Sequence, residues 1–171
     1  MAHRLEPSAS ATARYKEIYH TAINFISAQT QDPSIPSRMD FDRIRTLCAP
    51  DFQHSWGHKY AVSRAPLLQG SHSVDGFIAH LQKMLPNLES WKTDISDIIV
   101  DEAQLKVVLR LSFWMRAKGM SEVDIVENDL LWLLEMSEEV DKDRHLKIWK
   151  STEFVDGVAA EKLKEIMSRQ R

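Results

Sequence analysis

Three acid–base side chains stand out by type and setting: His54 in DFQHSWGHKY, and Glu153 and Asp156 in STEFVDG. Imidazole is the side chain whose ordinary pKa suits proton transfer near neutrality. Residues two apart on a strand share a face. His54 and Trp56 therefore look the same way, and the indole is either a flat platform beside a general base or a core anchor. A carboxylate desolvated among apolar groups is pushed up toward neutral pH, where it can trade protons with carbon acids or hydroxyls. Strict alternation puts Glu153 and Asp156 on opposite faces, so without a bulge only one of them points inward. Asp156 has a competing role as the cap of a following helix. His58, next to Gly57, reads as a loop residue.

A second cluster lies in VENDLLWLLEM, where Glu127, Asn128 and Asp129 interrupt an apolar strand. A buried charge needs a partner, and Arg110 on the preceding strand is the natural one. Two arrangements are open. Asn128 and Arg110 share an inward face with Ser112, Trp114, Leu130 and Trp132, or Glu127 and Asp129 are the pocket acids. We expect the first, because the second sets two like charges together in a dry cavity. Arg38, in the loop after the first helix, is placed to clamp a carbonyl or carboxylate or else is solvated. Tyr19 has an apolar face and a polar tip, which suits a core residue with its hydroxyl at a pocket.

These groups must be positioned by the elements around them. ATARYKEIYHTAINFISAQ repeats apolar residues at helical spacing, and the prolines of TQDPSIPS end that helix. Asp40 can cap a short helix, FDRIRTLC, and Ser71 or Ser73 can cap SVDGFIAHLQKMLP. DFQHSWGHKY supplies a short strand between them. The period then changes. WKTDISDIIVD alternates, with Trp91, Thr93, Ile95 and Asp97 on one side, and KVVLRLSFWMRAK follows as a strand. A late hairpin comes next, with the charged turn SEEVDKDR between VDIVENDLLWLLEM and HLKIWKSTEFVDG. A helix from Ala159 to about Arg169 closes the chain. Helices first and an antiparallel meander afterwards make an α+β layout in which one curved sheet wraps around the N-terminal helices.

Composition removes several classes. The 171 residues suit one domain with a sizeable core. A net charge of −3 leaves no electrostatic footprint for nucleic acid or an anionic membrane. No apolar run approaches the ~20 residues that span a bilayer. The lone Cys48 excludes an internal disulfide, and the first residues hold no apolar leader core, so a cytoplasmic location is expected. No Gly-rich phosphate loop, HExxH or Cys/His cluster is present, and His54, His58 and His72 are too loosely spaced for zinc. No cofactor and no metal are expected.

The phrases FDRIRTLCAPDFQHSW, SVDGFIAHLQKMLPNL, DIIVDEAQLKVV and STEFVDG, in this order, resemble the NTF2-like superfamily and its SnoaL-like cyclase and isomerase group. VDEAQLKVV, VENDLL and EFVD are similar to small fungal isomerases that rework meroterpenoid-type natural products. Residues 1–11, small and polar, read as a disordered N-terminus. The resemblance implies a single domain over 12–169, folded as a cone with a pocket between sheet and helices. It implies a cofactor-free isomerase or cyclase of secondary metabolism, acting by general acid–base catalysis on a hydrophobic, oxygenated, polycyclic intermediate. His54, Asp156 and Glu153 would be catalytic, and Arg38, Tyr19, Trp56, Arg110, Trp114, Asn128 and Trp132 would contact substrate. It further implies a homodimer through the outer sheet face. The fold also hosts non-catalytic dimeric binding or scaffold proteins and dehydratases resembling scytalone dehydratase, so fold alone does not fix function.

Overall fold

A computed structural model describes residues 6–137 and 145–168. Residues 1–5, most of the charged turn expected at 137–144, and Arg169 lie outside the described residues. Residues 8–11 form a turn closed by the Ala11 amide on the Ser8 carbonyl.

The elements follow as α1 (Ala13–Ser27), α2 (Phe41–Leu47), β1 (Cys48–Trp56), α3 (Lys59–Ser63), α4 (Val74–Met84), β2 (Leu88–Asp101), β3 (Lys106–Ala117), β4 (Val126–Met136), β5 (Ile148–Phe154) and α5 (Gly157–Ser168). Helices α1, α2 and α4 each have a side-chain cap. Thr12 accepts from the Tyr15 amide, Asp40 from Arg43 and Ser73 from Gly76. Such caps satisfy amides that have no partner inside the helix. The stretch AVSRAPLLQG, which shows no periodicity, holds the end of the one-turn α3 and a short 3-10 turn.

One five-stranded sheet runs in the order β1-β5-β4-β3-β2. β1 pairs parallel with β5, and the other pairs are antiparallel. Helix α1 packs on β2 and β3, α4 on β1, and α5 on β4 and β3. Helices and sheet enclose a core in which Phe25, Phe77 and Trp132 are among the largest fully buried side chains. This is the α+β cone expected from the element order.

Register decides which side chains enter the cone. In β4, Val126, Asn128, Leu130, Trp132, Leu134 and Met136 are buried. Arg110 pairs with Leu131, Ser112 with Asp129 and Trp114 with Glu127. Even positions of β3 thus share a face with odd positions of β4, and the expected common face of Arg110, Trp114, Asn128 and Trp132 is corrected. Asn128 and Trp132 point inward, and Arg110 and Trp114 point outward. On β2, a bulge between Ile95 and Asp97 inserts Ser96 and shifts the alternation. Ile98 and Val100 therefore follow Ile95 toward the core, while Asp97 leaves it.

The outer face is charged and cross-paired. Arg110 binds Asp129 through two hydrogen bonds of 3.2 and 2.6 Å, Ser112 donates to Glu127 at 2.7 Å, and Glu135 lies between Lys106 and Lys150 at 3.6 and 2.9 Å. The physical objection to Glu127 and Asp129 inside a dry cavity holds, since both are outside. The error lay in treating same-parity positions of two antiparallel strands as one face.

Candidate active site

The parallel pairing of β1 with β5 sets His54 beside Ser151 and Trp56 beside Glu153. Paired positions on neighbouring strands project to the same face, so two residues from each strand form one inward-facing group of four. On its other side, β1 is held by a bridge in which His54 and His72 exchange backbone hydrogen bonds of 2.8 Å. The His54 backbone is thus fixed from both directions.

His54 is fully buried. Its ring lies 4.3 Å from the Phe77 ring, 4.4 Å from Trp56 and 6.0 Å from Trp132, centroid to centroid. Nδ1 is 3.0 Å from Ser151 Oγ, and that hydroxyl accepts from Trp132 Nε1 at 2.7 Å. Among the described residues Nε2 has no hydrogen-bond partner, and it sits 3.7 Å from Glu153 Oε2. Burial pushes the imidazole down to about 3, with His72 and His80 adding to the shift. At neutral pH His54 is uncharged.

The Glu153 side chain is 12% exposed, so it is largely desolvated yet reachable. Trp56 Nε1 donates to its Oε2 at 2.9 Å. Burial pushes the carboxyl up to about 7, and the Trp56 bond opposes that only in part. Such a group populates both acid and carboxylate near neutrality, the condition for efficient general acid–base chemistry. Against the same indole lie the rings of His72 and His80, at 5.1 and 4.7 Å.

Asp156 is elsewhere. It is exposed, and its Oδ1 accepts from the Val158 and Ala159 amides at the start of α5. Its own amide donates to Asn128 Oδ1 at 3.0 Å. Asp156 therefore caps and anchors α5, the competing role open to it, and the inward-facing member of the Glu153/Asp156 pair is Glu153. β5 ends at Phe154, and Asp156 lies past it, immediately before α5.

Arg38 is also displaced from any substrate-facing position. Its guanidinium donates to the carbonyls of Leu85, Leu88 and Glu89 at 2.7–3.1 Å and stacks over Trp91. Leu85 caps the end of α4, and Leu88 and Glu89 open β2, so the guanidinium ties the helix end to the start of the strand. Tyr19 is buried in α1 with its ring against His20, and burial, then Glu6 and Tyr15, raise its pKa. Trp56 and Trp132 belong to the His54–Glu153 group as hydrogen-bond donors as well as apolar walls. Ser151 was missed by sequence reasoning. The available signal was its spacing: Ser151 and Glu153 repeat the i, i+2 pattern of His54 and Trp56.

An open cleft of about 420 Å³ lies on the other side of β5, lined by His58, Arg110, Asp129, Leu130, Leu131, Phe154, Val155 and Asp156. Phe154, rather than Glu153, lines it, so it is separate from the buried group.

No profile of a known protein family matches the sequence, and no curated protein matches it. Solved structures do match the fold. PrhC from Penicillium brasilianum is 17% identical, with 92% of each chain covered and a TM-score of 0.68. BvnE pinacolase from Penicillium brevicompactum is 15% identical, covering 91% of this chain and 96% of its own, with a TM-score of 0.66. A protein from Jannaschia sp. CCS1, assigned as a SnoaL-like polyketide cyclase, is 10% identical with a TM-score of 0.64, over 90% of this chain and 95% of that one. These matches show the fold, which is the NTF2-like cone that the sequence phrases resemble.

Proposed function

We propose that this protein is an acid–base isomerase or cyclase in which Glu153 moves the proton. The observation that supports this best is a reachable carboxylate, desolvated against Trp56 and His54 and raised to about 7. The carboxylate takes a proton from a carbon beside a carbonyl, or from a hydroxyl, and the resulting acid returns it at another atom of the same skeleton. The net change is isomerisation, or ring closure when the returned proton follows carbon–carbon bond formation. Trp56, with Phe25, Phe77 and Trp132 packed behind it as core, gives the carboxylate an apolar aromatic surround that suits a flat, oxygenated substrate. The fold neighbours include a pinacolase and a protein assigned as a polyketide cyclase, which agrees with chemistry of natural-product skeletons. In this reading no cofactor takes part and the protein works in the cytoplasm.

The test is proton exchange in D2O on a panel of apolar polycyclic ketones, with product analysis by mass spectrometry. Wild type should incorporate deuterium at an acidic carbon, and Glu153→Gln should not. Equal exchange by both proteins would remove Glu153 from the reaction.

A dehydration is the second reading. It is favoured by the two further imidazoles, His72 and His80, beside the Trp56 ring, where one can protonate a leaving hydroxyl. Loss of water, seen as an 18 Da decrease in product mass, separates it from isomerisation.

We also propose a homodimer through the outer sheet face, where Trp114 and Leu131 stay exposed among the charge pairs. Leu131→Glu should convert it to a monomer in sedimentation velocity, and an unchanged sedimentation coefficient would refute it.

A further inference from the structure

The hydrogen-bond inventory around Ser151 fixes where the protons of this site sit. Indole Nε1–H is only ever a donor, so Trp132 fills one lone-pair direction of the Ser151 hydroxyl. The hydroxyl still has its own hydrogen to place. Among the described residues its one other partner is His54 Nδ1, at 3.0 Å. A buried donor left without an acceptor is costly, so the hydroxyl donates to Nδ1. Nδ1 is then the lone-pair nitrogen of a neutral imidazole, and the ring hydrogen is on Nε2. That nitrogen faces Glu153 Oε2 at 3.7 Å.

Oε2 therefore accepts one hydrogen bond, from the Trp56 indole N–H, and also faces the His54 Nε2–H at 3.7 Å, beyond hydrogen-bond reach but close enough to favour the N–H over a bare nitrogen. Neither can accept a proton from it. No further hydrogen bond to the carboxylate is present among the described residues, so Oε1 is the oxygen without a donor against it.

We infer that Ser151 is a positioning residue that locks His54 in the Nε2–H tautomer, so that the exchangeable proton of Glu153 is carried on Oε1 alone. This rests on the reading of Glu153 as the proton-transfer group and specifies which oxygen does the transfer. In the acid form, the alternative is a Glu153 O–H that donates to a bare His54 Nε2. That internal bond would bury the proton between two protein groups and withhold it from substrate. The Ser151 hydrogen, by occupying Nδ1, removes that alternative in both protonation states. His54 thus stays neutral and keeps its role while Glu153 titrates, in line with its depressed pKa and the raised pKa of its neighbour. The other titratable groups facing the unit are His72, on the segment bridged to β1, and His80, on α4, both against Trp56.

Nitrogen-15 NMR of the histidine side chains across pH 5–9 tests this without any substrate, so it stands or falls separately from the proposed reaction. His54 is assigned by the signals lost in His54→Gln. The wild-type ring should show a protonated Nε2 and a bare Nδ1 on both sides of the Glu153 titration. A protonated Nδ1, or a doubly protonated ring near neutrality, would overturn the lock. Ser151→Ala should let the ring move toward the Nδ1–H form on the acid side only, with the Glu153 titration shifted to higher pH by the internal bond. An Nε2–H ring that persists at low pH in Ser151→Ala would show that Ser151 does not set the tautomer. Should that variant fail to fold because Trp132 loses its acceptor, the wild-type spectra alone still decide.

Discussion

Trp56 and Glu153 are directly paired across the parallel strands β1 and β5, and the indole N–H holds one carboxylate oxygen at 2.9 Å. Parallel pairing of distant segments is what joins the middle of the chain to its end at this point. The bond orients a group that burial would otherwise leave neutral at physiological pH. Glu153→Gln keeps the shape and an acceptor for the indole but has no exchangeable acid proton. Turnover should fall by ~100-fold or more, as when a general acid or base is removed, with the circular dichroism spectrum unchanged. Trp56→Phe removes the lowering contribution of the indole, so the activity limb assigned to Glu153 should move to higher pH. A limb that stays in place would show that the bond does not tune the carboxyl.

The two buried groups oppose each other in the pH dependence of stability. Burial lowers His54 from 6.5 in the unfolded chain to about 3, so its contribution is present above 6.5 and is lost as pH falls toward 3. Glu153 is raised from 4.5 to about 7, so its contribution is largest below 4.5 and is lost as pH rises toward 7. Between 4.5 and 6.5, folding releases the His54 proton and takes up the Glu153 proton, and the two slopes cancel. Urea midpoints should therefore be nearly flat there in wild type. Glu153→Gln should lose stability steadily as the pH falls from 6.5 toward 3. His54→Gln should instead gain stability as the pH falls from 7 toward 4.5. Identical profiles for all three proteins would contradict the burial of these groups.

The layout was legible because its signals are local. The helical spacing of Ile18, Ala22 and Ile26, and the capping residues Asp40 and Ser73, each specify a structure within a few residues. What was not legible depends on pairing between distant segments. Arg110 and Asn128 have the same parity, yet the register puts Arg110 opposite Leu131 and sends the two side chains to opposite faces. Ser96 gives no sign in sequence that it is the extra residue of a bulge. Arg38 looks like a solvated loop cation until the carbonyls of Leu85, Leu88 and Glu89, some 50 residues away, are folded onto it. Ser151 is a small polar residue on a strand, and its importance comes from His54, 97 positions earlier.

Asp156 separates helix capping from catalysis. Its carboxylate holds the first amides of α5, and Asn is nearly as good a cap as Asp. Asp156→Asn should leave both stability and turnover close to wild type. Asp156→Ala should cost about 1 kcal/mol in stability, the usual loss for an N-cap, with turnover at permissive temperature little changed. A large drop in turnover for Asp156→Asn, with its melting temperature intact, would restore the acid role.

Gly57 is the backbone position on which the geometry of Glu153 depends. A Cβ built there would overlap the Phe154 ring, which lies across the glycine and against His58. The Gly57 amide also donates to the Glu153 carbonyl at 2.7 Å, so this contact flanks the catalytic candidate on both its backbone and its next side chain. Gly57→Ala must push Phe154 away or separate the ends of β1 and β5. Overpacking of this kind costs about 1–3 kcal/mol, and the Trp56–Glu153 bond should lengthen with it, so stability and turnover fall together. The double variant Gly57→Ala/Phe154→Ala gives the added methyl the space of the ring. Its loss of stability should be smaller than the sum of the two single losses, as for residues in direct contact. Strict additivity in chemical denaturation would mean that Phe154 does not rest on Gly57, and the positioning of Glu153 would then need another source.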